Sequence, residues 1–285
     1  MDTAARLRAA FVAACTLDVA VRKPGNVSLA SPGHGMQAQQ FIDSAHAAAA
    51  PLCTAGATVG WRIEHAVAAS WAAAGCNTNL GIVLLAAPLA RAAEAPGALA
   101  DAAALRRALA AVLDALDLDD ARAAFRGIAL ANPGGLGDAG DDDVRRAPRL
   151  TLRQAMQQAA PRDRIAHQYA TDFDDVFAAA EDLGFARIPQ DDSAAREAAI
   201  QRVFLGMLGR WPDSHIVRKH GEAVAQNVMT AAHRWRAFSS PGLDPAYAAW
   251  DESLKSARLN PGTTADLTVA ALFVAGLLHG AWHGT

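Results

Sequence analysis

Three cysteines in 285 residues, at positions 15, 53 and 76, share no spacing that would make a disulfide framework or a structural zinc site. A reducing, cytoplasmic setting is the expectation. Tyrosine and phenylalanine are scarce, at 2 and 9 residues, and no stretch alternates apolar and polar residues for long, which excludes an extensive sheet. No excess of positive charge exists: 26 Lys+Arg stand against 29 Asp+Glu, for a net charge of −3. That balance excludes a nucleic-acid-coating surface and confines any phosphate recognition to a local site. The longest apolar runs, Leu80 to Ala90 and Val269 to Leu278, are about half of the ~20 residues a membrane span requires. Met1 is followed by Asp2, Arg6 and Arg8 with no uninterrupted apolar segment behind them, so neither a secretory leader nor a membrane partner is expected.

What is present is alanine, roughly a quarter of the chain, within a 52% hydrophobic composition that gives ample material for a core. The pattern predicts an all-α protein: a single compact, bundle-like domain of about ten helices spanning residues 1–285. Thr3 is placed to cap a first helix whose stripe Leu7, Phe11, Ala14, Leu17 and Val21 recurs at helical spacing, and Lys23-Pro24-Gly25 stops it. Thr151 and Gln154 make a capping box, Ser193 begins a helix to Leu208, and Asp244-Pro245 begins one to about Leu259. Further helices are expected over 39–50, 62–74, 80–93, 99–116, 162–183, 215–238 and 263–279. The Gly-rich, then acidic segment Asn132 to Asp143 reads as a solvated loop, with a mobile cover over a site as the alternative.

Against an Ala- and Arg-rich background only three Lys and six Asn remain, so their positions carry information. Lys23 and Asn26 lie in Lys23-Pro24-Gly25-Asn26-Val27-Ser28. Asn77 and Asn79 lie in Gly75-Cys76-Asn77-Thr78-Asn79-Leu80-Gly81. Lys219 follows Arg218 in the segment from Asp213 to Gly221, and Asn260 opens Asn260-Pro261-Gly262-Thr263-Thr264-Ala265-Asp266-Leu267. Each of these segments sits at a helix end, where unpaired backbone N–H groups and the helix dipole favour an anion. Singly, each is an ordinary stop or cap; four together suggest one site for a phosphorylated small molecule. Lys23, Arg218 and Lys219 supply cations, while Gly25, Gly81 and Gly262 let a ligand approach the backbone.

The order Lys-Pro-Gly, then Gly-x-Asn-Thr-x-x-Gly, then Asp-Ser-x-x-x-Arg with a later Gly, then Pro-Gly-x-x-Ala-Asp-Leu, resembles the triphosphoribosyl-dephospho-CoA synthase family. The matches run from Lys23 to Leu267. The resemblance implies an all-α enzyme that takes ATP with Mg²⁺ and displaces adenine from ribose C1′ with the 2′-hydroxyl of 3′-dephospho-CoA. It implies a phosphate and sugar cradle from Lys23, Gly25, Asn26, Asn77, Thr78, Asn79, Gly81, Arg218, Lys219, Gly262 and Thr263. Asp213 and Asp266 become the carboxylates expected at Mg²⁺ or at the ribose, with His220 as the proton carrier; Glu64 and His34 are weaker candidates. The partners are then small-molecule nucleotide and cofactor-precursor substrates, and apolar helix faces allow a homodimer.

One departure bears on the substrate. Where this family commonly reads Asn-Thr-His-Lys-Gly, this chain has Asn77-Thr78-Asn79-Leu80-Gly81. Loss of a phosphate-pairing cation costs about 1.5–3 kcal/mol, about 10- to 150-fold in affinity. A related enzyme that builds a pterin- or furan-type one-carbon carrier from another phosphorylated substrate is therefore an alternative. A non-catalytic helical nucleotide-binding protein is the third, and the ionisable groups at Asp213, His220 and Asp266 argue against it.

Overall fold

The computed structural model describes residues 2–131 and 148–280, and among them every regular element is helical. Fourteen α-helices run in order: α1 Thr3–Ala20, α2 Ala38–Leu52, α3 Val59–Ala74, α4 Leu80–Ala93, α5 Ala102–Asp114, α6 Leu118–Ala131 and α7 Leu152–Ala159. They continue as α8 Arg164–Ala170, α9 Asp174–Asp182, α10 Ser193–Leu208, α11 Ser214–His220, α12 Glu222–His233, α13 Pro245–Ser256 and α14 Gly262–His279. The loop expected over 132–143 lies outside the described residues.

The spine is α14, long and apolar enough to cross a membrane by length and composition, yet 78% of its window is buried inside the protein. It packs against α1, α4, α9 and α10, with Phe273 meeting Phe11 edge-to-face at 6.0 Å. Truncating either ring to Ala would cost about 3–5 kcal/mol. A second core between α10, α12 and α13 closes around Trp235, whose ring lies 5.1 Å from Tyr247 and 6.1 Å from Trp250. This satellite core supports α11, which contributes to the site described below.

Several expected boundaries shift for identifiable reasons. Asp2, not Thr3, is the N-cap of α1, and its side chain makes no capping bond. Asp192 caps α10 ahead of Ser193, accepting from the Ala195 N–H at 2.9 Å. The helix expected over 162–183 is two, because Asp172 and Phe173 turn left-handed between α8 and α9. The helix expected over 215–238 divides at Gly221, where φ is +87°. Helix α13 stops at Ser256, and Arg258 follows with φ +58°. Helix α6, unexpected from the sequence, is capped by Asp117, whose Oδ1 accepts from the N–H groups of Asp119 and Asp120 at 2.8 and 2.9 Å.

Candidate functional site

Helix ends from across the chain converge on one cavity of about 730 Å³, within the usual range for a small-molecule site. The C-terminal turn of α1 contributes Asp18, and the turn after it contributes Asn26 and His34. The N-terminus of α4 brings Asn77, Thr78, Asn79, Leu80 and Gly81. Arg162 and Asp163 come from the entry to α8, His215, Arg218 and Lys219 from α11, and Arg258, Asn260, Gly262, Thr263 and Asp266 from the start of α14. Apolar side chains complete the lining: Phe41 and Trp71, then Phe125 and Ile128 of α6, Leu152 and Met156 of α7, and Ile165 of α8. The lining therefore combines polar and cationic groups with apolar ones.

Local chemistry explains how each piece is held. The Lys23-Pro24-Gly25 turn is pinned by Asp251, which accepts from the Gly25 N–H at 2.8 Å while pairing with Arg22 at 3.0 Å and Lys255 at 2.9 Å. Gly25 has φ +80°, and a Cβ there would lie 2.6 Å from the Leu259 carbonyl oxygen, so only glycine fits. The turn thereby touches the segment before α14, and Asn26 Nδ2 donates to Asn260 Oδ1 at 3.2 Å. Asn79 is the N-cap of α4 without a side-chain capping bond, and Asn77 Oδ1 instead accepts from the Leu80 N–H at 3.1 Å. Thr78 donates to Ser44 Oγ at 2.7 Å, tying α4 to α2. Arg218 donates to Asp163 Oδ2 at 2.6 Å, while Asp163 Oδ1 caps α8. Gly81 is required by contact: a Cβ would stand 2.1 Å from Asp266 Oδ2.

Four expected site residues are placed elsewhere. Lys23 is fully buried beneath the cavity wall, ion-paired with Asp18 at 3.0 Å and donating to the Asp18 and Val21 carbonyls. Gly25 serves the turn just described. Asp213 sits behind the wall, 1% exposed, with both oxygens engaged: Oδ1 accepts from the His215 and Ile216 N–H groups, Oδ2 from the Thr264 N–H and hydroxyl at 2.8 and 2.7 Å. It is a clamp between α11 and α14. Burial raises its pKa, opposed by those four hydrogen bonds. His220 is exposed at the end of α11 and bonds the Arg258 carbonyl at 3.2 Å, outside the cavity lining. Of the weaker candidates, Glu64 pairs with Arg126 at 2.6 Å on the α3–α6 face, and His34 lines the cavity, its Nε2 2.8 Å from the Gly25 carbonyl oxygen.

Asp18, Asp163 and His215 are among the cavity residues, with Arg162 and Arg258, that the sequence did not mark. Asp18 is a single acidic residue inside an apolar helix with no flanking Gly or Asn to mark it. Asp163 resembles any capping aspartate. His215 had a signal in its place beside Asp213; in the structure burial, then Lys219 and Arg218, push its pKa down to about 3, so its imidazole is neutral.

A family model described as CitG, ATP:dephospho-CoA triphosphoribosyl transferase, matches residues 4–285. The chain belongs to that family. Membership makes it a transferase, and the four motif segments named above are those the triphosphoribosyl transferase resemblance pointed to. Among solved structures, a protein from Archaeoglobus fulgidus assigned as a triphosphoribosyl-dephospho-CoA synthase has the same fold, at TM-score 0.67 and 23% identity, covering 85% of this chain and 100% of its own. A search of curated proteins finds no match.

Of the two carboxylates expected at a divalent cation, Asp266 lines the cavity and Asp213 does not. Asp213 has both oxygens engaged and lies behind the wall. Among the described residues no group of three or more His, Cys, Asp and Glu could hold a metal ion.

Proposed function

We propose that this cavity binds ATP and 3′-dephospho-CoA and transfers the 5′-triphosphoribosyl group to the 2′-hydroxyl, releasing adenine. The observation that carries the reading is the convergence of the four motif segments on one cavity lined by both cationic and apolar groups. Arg218, Lys219 and Arg258 on the polar side suit a triphosphate, helped by the N-termini of α4 and α14. Mg²⁺ enters with ATP as part of the substrate, neutralising its phosphates. Asn26, Asn77, Thr78 and Thr263 offer polar groups to ribose hydroxyls, and the apolar lining with Trp71 and Phe41 suits a purine ring. Lys23 and Asp213 act from behind the wall, holding Asp18 and the two helix ends in place. Free thiols at Cys15, Cys53 and Cys76 agree with a reducing, cytoplasmic location.

The test is to incubate the purified chain with ATP, Mg²⁺ and dephospho-CoA and measure free adenine by chromatography. Stoichiometric adenine and product are expected; no adenine refutes the reading. A second reading rests on Leu80, 8% exposed at the wall where the family commonly has lysine. It takes a different phosphorylated acceptor for a one-carbon carrier, and is favoured if dephospho-CoA gives no thermal shift while another phosphorylated cofactor precursor does.

A further inference from the structure

Lys23 and Gly25 stay out of the cavity lining, yet the turn they form holds a residue that belongs to it. The Gly25 carbonyl oxygen lies 2.8 Å from Nε2 of His34. A carbonyl only accepts, so Nε2 carries the ring proton and Nδ1 keeps its lone pair. No group among the described residues donates to Nδ1. The setting of this ring is built from several elements. His34 takes φ +55°, a left-handed conformation uncommon outside glycine, between Gly33 and Met36, whose backbones exchange hydrogen bonds of 3.1 and 2.8 Å. Lys255 donates to the Ser31 carbonyl at 3.1 Å and to Asp251 at 2.9 Å, and Asp251 accepts from the Gly25 N–H at 2.8 Å. One buried ion pair thereby fixes both the loop that carries His34 and the carbonyl that orients it.

Other lining groups able to take a proton lack this arrangement. Asp18 is ion-paired with Lys23, and Asp163 pairs with Arg218 and caps α8. The His215 ring and the Asp266 carboxyl have no hydrogen-bond partner to aim them among the described residues. We propose that His34 is the general base of the transfer, accepting at Nδ1 the proton of the attacking hydroxyl, with the Gly25 carbonyl as its orienting partner. This rests on the transferase reading above. The O2′–C1′ bond forms as the O2′–H proton passes to Nδ1. The C1′–N9 bond breaks with its electron pair leaving on adenine, which takes a proton from solvent water, and His34 returns its own proton to solvent. His34 is thus a catalytic residue, while Gly25, Asp251 and Lys255 are positioning residues. Burial holds the His34 pKa below its ordinary 6.5, reinforced by Lys219 of α11 and Lys255 of α13 and opposed by the Gly25 carbonyl and Asp251. His215 of α11 lies within electrostatic reach as well.

The experiment follows adenine release by the wild-type chain, His34→Gln and His34→Gly. Glutamine can still donate to the Gly25 carbonyl but takes no proton, and glycine suits φ +55° while vacating the space of the ring. Both variants are expected to lose at least about 100-fold in kcat, with KM for ATP within about threefold and an unchanged melting profile. Added imidazole is expected to raise the rate of His34→Gly at least about tenfold and to leave that of His34→Gln unchanged. Wild-type kcat/KM should fall about tenfold per pH unit below the His34 pKa, and the variants should lack that acid limb. Variant rates within about threefold of wild type, a loss confined to KM, or a loss in His34→Gly that imidazole does not restore overturns the assignment while the transferase reading stands. A wild-type chain that releases no adenine refutes both.

Discussion

At the scale of single residues, the site is decided by what cannot be enlarged and what cannot be left alone. Gly81 illustrates the first: its missing side chain is the space that Asp266 Oδ2 occupies. Gly81→Ala should destabilise the fold by about 1–3 kcal/mol in denaturant unfolding and lower adenine release, because one of the two groups must move. Lys23 illustrates the second. Lys23→Met leaves the Asp18 carboxylate buried without its cation, and a loss of about 3–5 kcal/mol is expected by the same measurement. Asp266 itself should behave in the opposite sense. Its folded pKa is raised above the ordinary value of 3.8, so the folded state binds more protons than the unfolded chain, and stability falls as pH rises through that raised value. Asp266→Asn should therefore raise the melting temperature at neutral pH, with the gain fading in acid. Lys23, Asn77 and Asp266 stood out in the sequence because rare residue types and Gly neighbours mark helix ends. Asp18 did not, because nothing in the chain around it signals that α1 ends at a cavity.

Between elements, the decisive joint is Asp213. It caps α11 and holds Thr264 of α14 through both backbone and hydroxyl, so the helix carrying Arg218 and the helix carrying Asp266 share one anchor. Asp213→Ala should lower stability by about 2–4 kcal/mol and raise KM for ATP, while Asp213→Asn, which keeps the acceptor oxygen, should retain part of both. Substitution of Arg218 by Ala should raise KM for ATP about 10- to 150-fold in steady-state kinetics, since it removes a charged partner of phosphate. Helices were legible in proportion to the contrast of their sequence signals. The bounds of α4 match expectation because a long apolar run follows an Asn-rich cap. Helix α6 was hidden because its inward face is built largely of Ala121, Ala124 and Ala131, which look alike on every side of a helix in an alanine-rich chain. The divisions between α8 and α9 and between α11 and α12 arise from left-handed or open backbone at single positions, which periodicity averages away.

Across the whole molecule, an overall negative charge surrounds a small cationic rim. Attraction of ATP is therefore local, and raising the ionic strength should increase KM for ATP with little change in kcat, as followed by adenine release. Composition was enough to assign the all-helical class. The convergence of distant segments was not, because it depends on how α14, carrying both the core and the cavity floor, is gripped by α1 and α4.

The wall residue Trp71 has an optical consequence. Its indole borders the cavity, whereas Trp235 and Trp250 stack 6.1 Å apart in the other core. A purine settling beside Trp71 would quench one of the six tryptophans and leave the stacked pair as part of an internal reference. Occupancy of the pocket can thus be titrated by the light of the protein alone, without label or turnover.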